Sequence, residues 1–303
     1  MKNRWTLVVP TFALAAACPA GAGDVLLLKS TDAPSWKPAI EAFRKKATGQ
    51  NIVEQDLRGD RAEADRILGA VKGRKDTLVI AMGPLAAEAA HGSGIGVPVV
   101  YCMVQDIARF VQDGSGDAGI SFQTPVRNQF AVFRMVHPRG VRIGVIYRQE
   151  SSGGLMQEAL KASSVARFVL VSTPVASPQE VPPALRTMLT GAEPVDALWL
   201  PPDPLLLEDA TRRFILSETL KAGKPVYTFS QALVAEGALV SAGPDIAAIG
   251  DRLAELVARW AGSEKLRGEI LVPPPELVVN KKIGDKLRIE IPAAALKQAN
   301  KVL

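Results

Sequence analysis

Short apolar runs alternate along this chain with stretches whose apolar positions recur at helical spacing. Asp24–Lys29 carries Val25–Leu28 in a continuous run and reads as a buried strand, with Ser30–Ser35 as a polar turn behind it. Ile40, Phe43 and Ala47 then share one helical face, and Gly49 stops it. Asn51–Leu57 alternates as a second strand, and Ala62–Lys72 is a helix carrying Ile67, Leu68 and Val71. Thr77–Ala81 is a third strand, Pro84–Ala90 an Ala-rich helix and Val97–Met103 a fourth strand. Ala118–Phe122 reads as a short fifth strand. Thr124-Pro125 reads as a helix start, because a threonine hydroxyl can cap and a proline needs no N–H partner in the first turn. Phe130, Phe133 and Met135-Val136 continue that helix, and His137–Gly140 ends it.

The pattern then begins again. Val141–Tyr147 repeats Val25–Leu28, Leu155–Ala162 repeats the Ile40 helix, Phe168–Ser172 repeats Asn51–Leu57, and Pro183–Leu189 repeats the Ala62 helix. Asp196–Leu200 repeats Thr77–Ala81, and Lys224–Thr228 repeats Val97–Tyr101. The offset stays at about 115 to 130 residues, too long for a solenoid and suited to a duplicated lobe. Strands alternating with helices imply parallel sheets covered on both faces by right-handed crossovers. The predicted fold is therefore α/β, two Rossmann-like lobes side by side. Beyond Ala238–Ser241, Asp245 can cap a strongly amphipathic helix with Ile249, Leu253, Leu256, Val257 and Trp260 on one face. Ile270–Val272 and Leu277–Val279 are late strands about a Pro273–Pro275 bend. These leftover elements predict several crossings between the lobes. The division expected is 23–122 with about 242–262 returning to it, and 123–241 with about 263–303.

The N-terminus changes the picture of where such a chain works. Lys2 and Arg4 precede the apolar run Trp5–Ala17, and Ala20-Gly21-Ala22 is an A-x-A cleavage signal, so residues 1–22 read as a signal peptide. The run is too short to span a membrane. Ala15-Ala16-Ala17-Cys18 is a poor lipoprotein processing site and leaves a lipid anchor at Cys18 as the alternative to a freely periplasmic protein. Once Cys18 leaves with the signal, Cys102 has no partner and reads as a buried thiol. With apolar residues at 48% and charged residues at 22% of 303, the chain is globular and long enough to need no disulfides. Its formal charge of +5 is interspersed, the densest clusters being Arg44–Lys46 and Lys281-Lys282, which are solvated helix faces and not a nucleic-acid site.

Ligands of open parallel sheets bind beyond the carboxyl ends of the strands, where helix N-termini also point. The polar residues placed there are Thr31 and Asp32, Gly83 and Pro84, Gln105 and Asp106, Gln123 and Thr124, Glu150, Ser151 and Ser152, Asp203, and Ser230. Asp203, held between prolines, could meet a ligand ammonium or simply cap a helix. Thr124 could cap or bind. Ser151 and Ser152 could meet a ligand carboxylate or belong to a capped, solvated turn. Catalytic signals are weak: His91 and His137 have no metal-ligand spacing, no G-x-S-x-G elbow is present, and Gly92–Gly96 lies between a helix and a strand, the wrong order for a phosphate loop. No cofactor, metal or enzyme activity is expected.

Several segments carry a family resemblance. Thr124–Val126 to Gly144–Tyr147, Gly237–Ser241, Ile249-Gly250 to Trp260, Pro275–Asn280 and the ending Ile291-Pro292 to Lys301-Val302 resemble the periplasmic solute-binding proteins of ABC importers, in the subgroup with tryptophan- and tyrosine-binding members. The resemblance implies a type I periplasmic-binding architecture and a small polar or amino-acid-like ligand held between lobes that close on a hinge. It also implies a monomeric binding subunit with a membrane permease as its partner. The rim departs from the family pattern. Val104–Arg109 stands where Thr/Ser-Asp-Pro and a Gly-rich loop are usual, Pro202–Pro204 where a Thr-Asp-Asn turn is usual, and Ser30–Pro34 where a His-Pro or Pro-rich opening is common. A sensor reporting to a receptor or kinase, or a degenerate cleft, are the alternatives the residues leave open.

Overall fold

The computed structural model describes residues 23–303, so the segment expected to be a signal peptide, its expected cleavage site and Cys18 lie outside the described residues. The first sheet contains β1 (Asp24–Lys29), β2 (Asn51–Asp56), β3 (Thr77–Met82), β4 (Val99–Cys102) and β5 (Ala118–Ile120), parallel and in the order β2-β1-β3-β4-β5. Helices α1 (Lys37–Lys46), α2 (Arg61–Val71) and α3 (Pro84–Gly92) connect them. The chain crosses to α4 (Val126–Val136) and repeats the plan with β6 (Arg142–Arg148), α5 (Gln149–Val165), β7 (Val169–Val175), α6 (Val181–Thr190) and β8 (Ala197–Leu200). Next come α7 (Pro204–Leu207), α8 (Asp209–Lys221), β9 (Val226–Thr228), α9 (Gln231–Ala235) and β10 (Val240–Pro244). The second sheet keeps the order β7-β6-β8-β9-β10, again parallel. The two lobes thus share one topology, strand for strand, as the repeat predicts.

The remaining chain joins the lobes. From β10 it returns to the first lobe as α10 (Ile246–Ala261), which lies along α1. Ile249, Leu253, Leu256 and Val257 of α10 bury against Ala39 and Phe43 of α1 and Val25, Leu27 and Ile80 of the sheet. The helices touch backbone to backbone at Gly250, where an added Cβ would stand 2.0 Å from the Ala39 carbonyl oxygen. β11 (Glu269–Leu271) then pairs in parallel with β5, at the edge of the first sheet. Arg259 of α10 holds it there through two bonds of 2.9 Å to the Glu269 carboxylate. This corrects the division expected from the sequence, since 263–271 belongs with the first lobe. Its partner strand was invisible to local patterning because β5 is distant in sequence. After Pro273 the chain crosses again, and β12 (Pro275–Val279) pairs antiparallel to β10. α11 (Lys281–Lys286), α12 (Ala293–Gln298) and β13 (Lys301–Val302), paired to β12, complete the second lobe.

Each sheet has an apolar cluster on both faces. In the second lobe, Phe130 and Phe133 of α4 pack with Phe168, Trp199 and Tyr227 in edge and stacked contacts. Such pairs add about 1 kcal/mol each beyond area burial. His137, at the end of α4, hydrogen-bonds the Tyr227 hydroxyl, and burial lowers its proton affinity. It is a half-buried histidine packed at the helix end. His91 likewise ends α3 with its ring against Tyr101 and Phe110.

Candidate solute-binding cleft

Residues at or beyond the carboxyl ends of β4, β5, β6, β8, β9 and β10 meet around a cavity of about 520 Å³ between the lobes. Its walls come from three sources. The first lobe gives Gln105, in the loop after β4. The second lobe gives Gln129 of α4, Ser151, Ser152, Leu155 and Glu158 from the start of α5, Pro202 after β8, and Phe229, Ser230 and Gln231 after β9. The crossings give the rest: Phe122, Gln123 and Thr124 from the first, Gly243, Pro244 and Ile246 from the second, and Glu276 from the third. A cavity of about 820 Å³ lined by Gly23, Lys75, Pro98 and Trp260 lies at the opposite, amino ends of the first-lobe strands, where this class of sheet does not bind ligands.

Of the residues singled out from the sequence, Gln105, Gln123, Thr124, Ser151, Ser152 and Ser230 come together in this cavity. Gln123 Nε2 donates to Gln105 Oε1 at 2.8 Å, an amide contact from the first crossing to the first lobe. Thr124 does not cap α4, contrary to the sequence reading. The capping position falls to Pro125, and the Thr124 carbonyl instead accepts from Gln129 Nε2 at 2.9 Å. The Thr124 side chain is 9% exposed, lines the cavity and has no hydrogen-bond partner among the described residues. Ser230 precedes α9 without capping it, and its hydroxyl is also unpartnered there.

The other predicted residues lie elsewhere. Asp203 is 0% exposed, and its carboxylate is not free to meet a ligand ammonium as the sequence allowed. Its Oδ1 accepts from the Leu205 N–H at 3.0 Å, capping α7. Its Oδ2 accepts from the Arg148 N–H at 2.8 Å, from Ser152 Oγ at 2.6 Å and from Ser151 Oγ at 3.3 Å. The carboxylate is thus filled by donors from the β6–α5 junction, and it holds both serine hydroxyls away from a ligand. Glu150 is exposed and pairs with Arg148. Asp106 is exposed ahead of a short turn and caps nothing.

In the first lobe, Thr31 and Asp32 sit on the exposed turn after β1. The Asp32 carboxylate accepts from Lys29 Nζ at 2.6 Å, and that ammonium also reaches Glu54 at 2.7 Å. Lys29 is 5% exposed, and these carboxylates raise its pKa even though burial, the largest single influence, works to lower it. Gly83 and Pro84 start α3 where β1 and β3 part, and Trp36 covers this point. Gly83 has φ +90°, and a Cβ there would stand 2.4 Å from Trp36 Cη2 and 2.8 Å from Ser30 Oγ. Ser30 completes the junction by donating to the Met82 carbonyl and accepting from the Ala86 N–H at 2.9 Å. The first-lobe switch point is therefore closed by its own indole.

Sequence reasoning missed Glu276, Glu158, Phe122, Phe229 and Gln231 as cavity residues. Glu276 lies on β12, and no rule about strand ends reaches a strand that enters the second sheet from the hinge. Its carboxylate has no hydrogen bond or ion pair among the described residues. Burial, with the Asp245 carboxylate nearby, raises its pKa, and Lys301 acts in the opposite sense. Among the described residues no group of three or more His, Cys, Asp or Glu could hold a metal, and no helix is long and apolar enough to cross a membrane.

The same plan recurs in solved structures. The ligand-free, open structure of CD0873, a substrate binding protein with adhesive properties from Clostridium difficile, is similar at a TM-score of 0.75 with 19% identity, covering 93% of this chain and 99% of that one. An ABC domain from Streptococcus pneumonia in complex with L-Trp is similar at 0.56 with 20% identity, over 93% of this chain and 100% of that one. A LacI transcriptional regulator from Lactobacillus brevis is similar at 0.51 with 15% identity, over 84% and 99%. At these identities the likeness is one of fold, the type I periplasmic-binding and LacI-like class. No curated protein sequence matches the chain. A family model described as ABC transporter substrate binding protein matches residues 42–303. Its match takes in both lobes and all three crossings, and the chain belongs to that family.

Proposed function

We propose that this protein is the solute-capturing subunit of an ABC importer, working in the periplasm as a monomer after loss of its leader. It takes a small polar or amino-acid-like solute into the cleft and presents the closed form to a membrane permease. The observation that carries this reading is the position of the 520 Å³ cavity, which draws its walls from both lobes and from each crossing. A solute there contacts groups on either side of the hinge, and only such a solute can shift the balance between open and closed forms. The reading is of binding without turnover. Neither histidine lines the cavity, and the serines nearest a carboxylate bond to a buried one with no base beside them.

A thermal-shift screen of the mature protein over amino acids, sugars, amines and oxyanions tests the proposal. A true solute at a hundredfold excess over its dissociation constant stabilises the native state by about 2.7 kcal/mol, a clear rise in the midpoint. A screen in which no class of small solute moves the midpoint would end it.

A further inference from the structure

The cleft wall is one-sided in its charge. The two charged side chains that line it, Glu158 and Glu276, are both acidic, and among the described residues no Lys, Arg or His faces the cavity. The remaining polar wall is neutral amide and hydroxyl. A solute bearing a carboxylate or phosphate would meet like charge here with no opposing cation.

The start of α5 also lacks the vacancy an acidic solute would need. A helix N-terminus is the usual receiver of a ligand carboxylate, and α5 is the longest of the helices that start at this cleft. The buried Asp203 already sits against that start. It takes the Arg148 N–H and both serine hydroxyls, so the protein has placed its own carboxylate at the position.

Glu276 shows the opposite condition. It is half-buried at the cavity wall, its carboxylate lacks any partner among the described residues, and the charged groups that act on it are Asp245 and Lys301. Asp245 is occupied capping α10 through the Ala248 N–H at 3.0 Å. A half-buried carboxylate without a partner is costly, and a cation entering the cleft relieves that cost. Phe122 and Phe229, both half-buried at the wall, supply apolar surface and ring faces suited to the body of such a cation. The unpartnered Thr124 and Ser230 hydroxyls can accept from ammonium N–H groups.

We propose that the solute is an organic cation, an amine or quaternary ammonium on an apolar body without an acidic group, with its charge at Glu276 and its body between Phe122 and Phe229. This rests on the solute-binding reading above and narrows it, excluding free amino acids in favour of their decarboxylated or otherwise uncharged-acid counterparts.

Calorimetry with matched probes tests it: phenethylamine and choline as cations, phenethyl alcohol as the neutral analogue, phenylalanine as the amino acid and hydrocinnamate as the acid. The expected result is binding of at least one cation, with phenylalanine weaker by roughly tenfold or more and hydrocinnamate silent. Glu276→Gln should lose roughly tenfold or more in affinity for that cation, with Glu276→Asp intermediate and both variants melting cooperatively. Cation binding that survives Glu276→Gln unchanged overturns the assignment of the charge. Binding of phenylalanine, hydrocinnamate or phenethyl alcohol in preference to the cations overturns the ligand class and leaves the solute-binding reading standing. Silence from these probes and from the broader screen of sugars, amino acids and oxyanions overturns both.

Discussion

Ser152 donates its hydroxyl proton to Asp203 across 2.6 Å, with both side chains out of solvent. The bond ties the first turn of α5 to the loop after β8, beside the Ser151 hydroxyl and the Arg148 N–H that bond to the same carboxylate. Asp203→Ala leaves the Ser152 hydroxyl and the Arg148 and Leu205 N–H groups without acceptors in a dry site. The expected cost is about 3 kcal/mol, read as a lowered urea midpoint with an unchanged slope. Ser152→Ala removes one donor of several and should cost about 1 kcal/mol.

At Gly83 the backbone passes beneath Trp36 with φ +90°. Gly83→Ala meets two penalties, the left-handed conformation and the collision with the indole, together about 2 kcal/mol or more. Adding Trp36→Leu should recover the collision and leave the conformational part, so the double variant is less damaged than the sum of the singles. Equal additive losses by denaturant titration would show that the two residues do not touch.

Glu276 holds its proton more tightly in the folded chain than in the unfolded one. Such a group favours the native state at acid pH, and the advantage fades as pH rises from the ordinary value of 4.5 through the raised one. Without solute, Glu276→Gln should therefore melt higher than the parent above that window, and the two should converge below it. Thermal midpoints from pH about 4 to about 8 show the difference directly. A variant that melts lower throughout would mean that the carboxylate has a partner after all.

Cys102 lies fully buried in β4, and burial pushes its thiol far above the usual range. A thiol reagent should leave the native protein untouched and react stoichiometrically once denaturant unfolds it. Prompt labelling of the native chain would show that the first sheet opens locally.

The lobes could be read from the sequence because Val25–Leu28 of β1 and Ile143–Ile146 of β6 are buried on both faces, and their apolar runs need no partner to be recognised. α8 escaped notice because Thr211 and Thr219 stand among its buried positions beside Ile215 and Leu216, and threonine on a core face blurs the helical period. Most of the cleft wall escaped for a different reason. Strand-end rules place Gln105, Ser152 and Ser230 well, but they carry no information about which polar groups find internal partners. Asp203 and Asp32 were consumed by Ser152 and Lys29. Glu276 was left open because it stands on a segment whose neighbours are far away in sequence.

α10 follows the last parallel strand of the second lobe, yet it is Leu253, Leu256 and Val257 of this helix that seal one face of β1 and β3. A fragment ending near residue 245 would carry every strand of the first five and still present an oily surface to water. The first lobe cannot complete its core until the chain as far as α10 and β11 is present. Excision of one lobe as a stand-alone module, or exchange of residues 23–122 with a relative, will give insoluble product unless the distant helix and β11 travel with it.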